Sequence, residues 1–410
     1  MELHPVVSAL GRNKVGALLI ALQMAVTLAI LCNALYIVQQ RLALIARPSG
    51  VDEADVFTLE NQWLGQPAQQ RGLLQADLAA LRAIPGVTDV FESNAVPLND
   101  SSMVLGITLH PDNMKSLLIA ATYLGDQNTL RTLGARLVAG RDFTSSDVRD
   151  FSFDVLSTPP IDGILVTRAL ADKLAPGGKV LGRVASIFPF SLQAPIIGII
   201  DRLQAPFVNA PDNQLGSFIE NSMVLPYRVL NPSAFYIVRV KPGALASAMR
   251  AAPGALAAVS RERVVRQVRS LTQARREIYR ADRTIVSMLL IVCAILIAVT
   301  AFGIVGLTSY WVSQRRRQIG IRRALGATRL AIVGYFQAEN LMISSGGIVL
   351  GVGLTVAGNI WMVDRFAMHR LPLDYFLIGI AAMLALGQLA VLWPALRAAS
   401  VPPVVATRTL

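Results

Sequence analysis

The amino-acid sequence predicts an integral membrane protein in which four transmembrane helices accompany a large α+β domain inserted between the first helix and the second. Three observations carry this expectation. The 410 residues are 53% hydrophobic and 16% charged, with a mean hydropathy of +0.51, which is too apolar for a soluble two-domain chain. Four uncharged runs are long enough to cross the hydrocarbon of a bilayer, which takes about 20 helical residues. The densest positive charge sits beside those runs and not within them.

The elements follow in order. Residues 1–14 form a short leading segment, and Val15–Val38 is the first span. Its apolar length exceeds that of a signal-peptide core, no small-x-small cleavage site follows, and Leu31 is too large to precede a lipidated Cys32, so a retained helix is expected. Residues 39–260 have the composition of a soluble domain. Helical patterns at Gln69–Ala83, Thr167–Leu174 and Gly243–Arg250 alternate there with β-rich runs at Gly163–Val166, Ala194–Ile200 and Phe235–Val240, and Ile84–Val87 reads as a turn. Residues 261–283 carry eight arginines against three acids. Val264, Val268, Leu271, Ala274, Ile278, Ala281 and Ile285 recur at three- and four-residue intervals, which predicts a helical stalk running unbroken into the membrane. Thr284–Val312 is the second span, residues 313–333 a polar loop, and residues 334–363 the third span. Asp364–Asp374 is a neutral turn, Tyr375–Leu396 the fourth span, and residues 397–410 a tail.

Orientation follows from lysine and arginine beside short loops, which stay in the cytoplasm. The leading segment, the Ser313–Arg329 loop and the tail are all net positive, with six arginines and no acid in the loop, and together they hold most of the formal +12. Both ends and the loop are therefore expected in the cytoplasm, and the large domain outside it. The same bookkeeping accounts for a pI near 10.3 without nucleic acid.

Sign alone does not explain the arrangement of the arginines. Gln314–Leu325 lacks a helix breaker except Gly320, Gly326 can end a helix in the left-handed region, and Thr328 can cap the next one. This predicts a short amphipathic helix at the membrane surface, with Ile321 and Leu325 one turn apart on its apolar side.

The string Arg315–Glu339, RRRQIGIRRALGATRLAIVGYFQAE, resembles the cytoplasmic signature of MacB/FtsX-type ABC transporter permeases. Three more strings resemble that family in the same order: GARLVAGRDFTSSD (Gly134–Asp147), VTRALADKLAPGGKVLGR (Val166–Arg183) and WPALRAASVPPVVATR (Trp393–Arg408). Gln318 stands where the family usually has Glu, and Thr407 where it usually has Leu. The resemblance implies a permease dimer, homo- or heteromeric, that transmits ATP hydrolysis by a separate cytoplasmic ATPase subunit to a periplasmic core domain. It implies a coupling role for Arg317, Gln318, Ile319, Gly320, Ile321, Arg322, Arg323, Ala324, Leu325, Gly326, Ala327 and Glu339. It also implies efflux or extrusion from the periplasm with an adaptor protein, in a bacterial inner membrane. A lipoprotein-release permease and a non-transporting regulator of a cell-wall hydrolase share these features, and a receptor or anchor without an ATPase would not need the coupling loop.

No nucleotide site is read from the chain. APGGKVLG (Ala175–Gly182) lacks both the first glycine of a phosphate-binding loop and the hydroxyl after Lys179. SSGGIVLG (Ser344–Gly351) lies inside a span, where Gly347, Gly351 and Thr355 read as a close helix-packing face. His4, His110 and His369 are far apart, no metal-spaced pair or serine elbow is present, and Cys32 and Cys293 both fall within spans as apolar thiols. No catalytic residue, cofactor or metal is expected on this chain; ATP and Mg belong to the partner. Gln23 and Asn33 are expected to hydrogen-bond between helices.

Overall fold

A computed structural model describes residues 14–64, 70–99, 102–152, 158–207, 219–366 and 370–400. The ends of the chain that bear on orientation, with His4, Thr407, Arg408 and His369, lie outside them. Two compact units form: one from the chain up to Ile45 together with Asp282 onward, the other from Ala46–Ala281.

Among the described residues four helices are long and apolar enough to cross a membrane, and all belong to the first unit: α1 (Lys14–Ile45), α7 (Arg280–Gln314), α9 (Arg329–Phe366) and α10 (Leu373–Ala399), with the short α8 (Arg316–Ala324) between α7 and α9. Each long helix outruns its uncharged run by several residues at one or both ends. At about 1.5 Å per residue α1 alone is about 48 Å long, so its polar ends can stand clear of hydrocarbon about 30 Å thick. In α1 one face, Ile20, Met24, Leu28 and Leu31, is buried, while Val15, Leu18, Leu22 and Val26 are exposed. That is the division expected of a helix packed on one side and facing lipid on the other.

Small residues set the spacing of this bundle. A Cβ added at Gly347 of α9 would lie 2.7 Å from the Ala21 carbonyl oxygen of α1, and one at Gly351 would lie 3.0 Å from Ala25 Cα. Backbones can come this close only because the side chains are missing. Polar groups tie the helices further. The Thr27 and Thr300 hydroxyls share a hydrogen bond of 2.8 Å between α1 and α7, and Asn33 Nδ2 donates to Ala29 O at 2.9 Å and to Thr355 O of α9 at 3.4 Å. Gln23 lies against Gly303 of α7. Cys32 and Cys293 are buried free thiols.

Among the described residues the second unit contains two large sheets and one two-stranded sheet. The first has the antiparallel order β13-β1-β12-β2, from Arg263–Ser270, Val56–Trp63, Ser233–Val240 and Val87–Ser93. Side chains alternate across it. Phe57, Leu59, Tyr236 and Val238 pack against helices α2 (Gln70–Arg82) and α5 (Leu245–Val259), whereas Val56, Phe91 and Ile237 face the opposite way onto Leu130, Leu165 and Val224. The second sheet runs β9-β7-β10-β4-β3-β8 and closes on itself through β8–β9 pairing, with β5 (Leu137–Gly140) added outside β9. Its strands are β3 (Met103–Thr108), β4 (Leu118–Leu124), β7 (Ile164–Thr167), β8 (Val184–Phe188), β9 (Leu192–Ile200) and β10 (Ser222–Leu225). Side chains such as Ile107, Val166, Ile187, Ile196 and Met223 form one buried cluster within this ring, a filled barrel. Two short helices, α3 (Thr129–Leu133) and α4 (Arg168–Leu174), and the parallel pair β6 (Arg149–Phe151) and β11 (Tyr227–Val229) complete the unit.

The helical stalk expected over residues 261–283 is not formed, and most of that segment belongs to this second unit. Val264 and Val268 lie on strand β13, paired to β1 from Phe57↔Ser270 to Trp63↔Arg263. Leu271 is the first residue of helix α6 (Leu271–Ile278), and that helix stops at Tyr279 before α7 begins. The strand also carries a β-bulge. Gln267 has φ +48° and the register slips opposite Thr58–Glu60, so one extra residue separates Val265 from Val268 on the same face of the sheet. Val264, opposite Gln62, and Val268, opposite Leu59, therefore fall on opposite faces of the strand, and their four-residue spacing is not that of one helical face. Arg263 is buried as well: Asp77 Oδ2 accepts from its Nη1 at 2.7 Å, from Tyr236 OH at 2.7 Å and from Trp63 Nε1 at 3.2 Å. At Ser270 a capping box switches the chain from strand to helix, with Ser270 Oγ accepting from Gln273 N and Gln273 Oε1 accepting from Ser270 N.

The string GARLVAGRDFTSSD is a structural staple. Gly134 ends α3 at φ +70°, and Gly140, at φ +81°, closes β5 where a side chain would strike the Ile197 carbonyl. Arg141 then grips Asp147 with both terminal nitrogens, at 2.7 and 3.0 Å, while Thr144 donates its N–H and hydroxyl to Asp147 Oδ2. The Arg141 guanidinium, aided by the Thr144 donors, holds the Asp147 carboxyl well below the usual carboxylate range although burial opposes this.

Two outcomes test this packing. Replacing Gly347 by Ile should lower the thermal stability of the purified chain in detergent by about 1–3 kcal/mol. Gly346→Ile should be near neutral, because an added Cβ there meets nothing within 4 Å. Asp147→Asn should cost about 2 kcal/mol at neutral pH. Since the folded pKa is lowered, the wild-type advantage is complete above the unfolded value near about 3.9 and shrinks as pH falls below it. A stability gap that instead widened on acidification would contradict the staple.

Candidate docking site

The site is built where α7 turns into α9. Helix α7 ends at Gln314, Arg315 makes the turn, and α8 runs over Arg316–Ala324. Gly326 (φ +98°) closes α8 with Gly326 N bonded to Arg323 O at 3.1 Å and Ala327 N to Arg322 O at 3.0 Å, the paired bonds of a Schellman motif. Thr328 Oγ1 then accepts from Ala331 N at 3.2 Å at the start of α9. The sequence expectation for Gly326 and Thr328 is what the backbone does.

The six arginines divide between two faces. Three point inward. Arg315 Nη1 donates to both oxygens of Glu339, at 2.9 and 3.1 Å, with both side chains largely out of solvent. Arg322 lies over the Tyr335 ring at 5.1 Å, and Arg323 Nη1 donates to Ala399 O at 2.9 Å, capping the last turn of α10. Ile319 and Gly320 are buried between these contacts, and Ile319 belongs to the apolar core of the helix bundle.

The other face is open. Arg316, Arg317, Gln318, Ala324 and Arg329 are exposed, and so are Ile321 (48%), Leu325 (83%) and Leu330 (82%). Three exposed apolar side chains thus stand among exposed arginines along this short segment, and no described part of the chain covers them. Ile321 and Leu325 therefore do not lie against the helix bundle; Ile319 supplies that contact. Its signal was present in the sequence, because Arg315, Ile319 and Arg322/Arg323 share one helical face. A face carrying three arginines reads as exterior until each guanidinium is seen to have an internal partner.

Glu339 is the residue the structure places differently from a docking contact. It is 3% exposed on α9 and its carboxylate is turned onto Arg315. One residue and five residues on, the Asn340 Nδ2 and Ser344 Oγ atoms are buried against Gly387 of α10, where an added Cβ would lie 3.1 and 3.0 Å from them. Ala395, Ala398 and Ala399 of the WPALRAAS string are buried small residues, so that string packs α10 and presents the carbonyl that Arg323 caps. Its continuation past Ser400 lies outside the described residues. The stalk residues Val264, Val268, Leu271 and Ile278 belong to the second unit and not to this site. Among the described residues no group of three or more His, Cys, Asp or Glu side chains is placed to hold a metal.

Comparison with known proteins accords with these features. Residues 20–255 match the MacB-like periplasmic core domain, and residues 290–403 match the FtsX-like permease C-terminal family. A macrolide export ATP-binding/permease protein MacB of Rhodopseudomonas palustris is 26% identical over 324 residues, covering 75% of this chain and 43% of that protein. MacB of Chlorobaculum tepidum is 36% identical over 112 residues, covering 26% of this chain and 16% of that protein. The chain thus spans less than half the length of these relatives. The crystal structure of the periplasmic region of MacB from Actinobacillus actinomycetemcomitans aligns with a TM-score of 0.33 at 13% identity, over 57% of this chain and 97% of that one. With its MacB-like core domain and FtsX-like permease domain on one polypeptide, the chain is a membrane protein with a periplasmic domain that belongs to the MacB-type ABC transporter permease family.

Proposed function

We propose that this chain is the permease subunit of a bacterial inner-membrane exporter, that a separate cytoplasmic ATPase subunit docks on α8, and that the work of ATP hydrolysis passes through the helices to the periplasmic domain to extrude substrate. The observation that carries this reading is the open face of α8 and early α9: Ile321, Leu325 and Leu330 exposed among Arg316, Arg317 and Arg329. An apolar centre with a charged rim is the composition of a protein docking patch, and the rim asks for an acidic groove on the partner. Gln318 sits on the same face and leaves that rim without a negative charge of its own.

In this reading both ends of the chain and α8 face the cytoplasm, ATP and Mg are held by the ATPase, and the permease works as a dimer with a periplasmic adaptor. The relatives' names refer to macrolide export, so a macrolide is the first cargo to test. The Ala46–Ala281 unit takes in Val264, Val268, Leu271 and Ile278, and the chain enters it after α1 and leaves it at the start of α7.

The experiment separates docking from orientation. Ile321→Asp with Leu325→Asp leaves all six arginines in place, so insertion and membrane level should stay normal. Co-purification of the ATPase subunit with the full chain should fall by about thirtyfold or more, since losing a docking centre costs about 2 kcal/mol or more. Undiminished association would remove α8 as the docking element.

A further inference from the structure

We propose that Glu339 is a positioning residue: its buried carboxylate closes on Arg315 and thereby fixes the orientation in which α8 presents its outer face. The proposal rests on the reading of α8 as the docking element, and it assigns Glu339 a role one step removed from the partner.

The charge inventory makes this pairing unusual. Glu339 is the sole carboxylate residue from Arg283 through Val363, a stretch that contains seven arginines. It could have been placed at the surface, screening the arginine cluster. Instead it is withdrawn among the helices, where Arg315 reaches both of its oxygens. Arg315 in turn is the hinge residue between two helices. Its N–H bonds to Trp311 O of α7 at 3.0 Å, its carbonyl accepts from Ile319 N of α8 at 2.9 Å, and its side chain is held by α9. One residue therefore sets the angle between α7 and α8 against a fixed point on α9. Arg322 on Tyr335 and Arg323 on Ala399 O continue the same inner face, but an exposed ring contact and a single carbonyl cap restrain direction less than a buried, two-oxygen ion pair.

With Gln at position 339, a hydrogen bond to Arg315 can survive but the charge cannot. The guanidinium would then be left in a poorly solvated place without its counter-ion and would be drawn toward water, taking the start of α8 with it. The consequence is a loosened α8 on an intact bundle.

The test uses the full chain in lipid nanodiscs, with Cys32→Ala and Cys293→Ala as background. Nitroxide labels at Ala324→Cys on α8 and Leu389→Cys on α10 report the orientation of α8; labels at Val349→Cys on α9 and Leu389→Cys report the bundle. Glu339→Gln and Arg315→Gln should each broaden the first distance distribution about twofold while the second stays as in wild type. Each should weaken association with the co-purifying ATPase subunit about tenfold, and the double variant should be no worse than either single one. An unchanged α8 distribution overturns the proposal. So does weakened association with a narrow distribution, because Glu339 would then be acting by direct contact. A broadened α8 with undiminished association supports the positioning role, and when Ile321→Asp with Leu325→Asp is also without effect it is the docking reading that fails.

Discussion

A carboxylate buried among helices persists only when a cation stands against it, and the membrane unit of this protein is arranged around that constraint. Its two described buried acids are both spoken for. Asp282, in the first turn of α7, accepts from Arg41 of α1 at 2.8 Å, and Glu339 of α9 accepts from Arg315, just past the last turn of α7. Helix α7 is thus tied at each end by an ion pair to a different neighbour. Between those ties it shows much of its surface, with Met288, Ile291, Ile295, Val299 and Phe302 all exposed. Its contact with α1 along the way is polar or spare: the Thr27–Thr300 hydrogen bond, Gln23 on Gly303, and Trp311 over Gly16. By contrast α1 and α9 meet through glycine at backbone distance. The bundle therefore has a close-packed pair and a more loosely attached helix whose ends are fixed by charge.

The same constraint gives the arginine cluster two functions at once. Six positive charges in one loop satisfy the orientation rule in any arrangement. Three of them are used internally, on Glu339, on the Tyr335 ring and on the end of α10, so that α8 is held at three points. The remaining three ring an apolar patch that would cost free energy to leave in water, and such a patch on a small, rigidly held helix is suited to a partner.

Composition and hydropathy made the membrane plan legible, since spans are long and their signal accumulates over twenty residues. The end of α8 was legible because Gly326 and Thr328 act locally. Helix α2 and strands β9 and β12 could be located within two residues, each being a clean periodic run. What could not be read depended on non-local pairing. Residues 263–270 form a strand because β1 offers an edge and Asp77 waits for Arg263, and with the bulge at Gln267 the Val264–Val268 step joins opposite faces of that strand instead of one helical stripe. The inward arginines were hidden for the same reason: nothing local to Arg315 reveals a carboxylate 24 residues away. The family strings were visible as strings, but their chemistry was not. The Arg141–Asp147 staple and the Ala399 carbonyl under Arg323 make them internal scaffolding, not ligand sites.

The central claim is that the partner meets the outer face of α8 and nothing deeper. Its most direct measurement is site-specific photocross-linking in growing cells, with a photoreactive phenylalanine analogue placed singly at Leu325, at Leu330 and, as a membrane-facing control, at Leu389, all three exposed. The account predicts adducts with an ATP-binding subunit from Leu325 and Leu330 and none from Leu389. A complex that hydrolyses ATP and exports its cargo, yet gives no such adduct at either α8-proximal position, would contradict it.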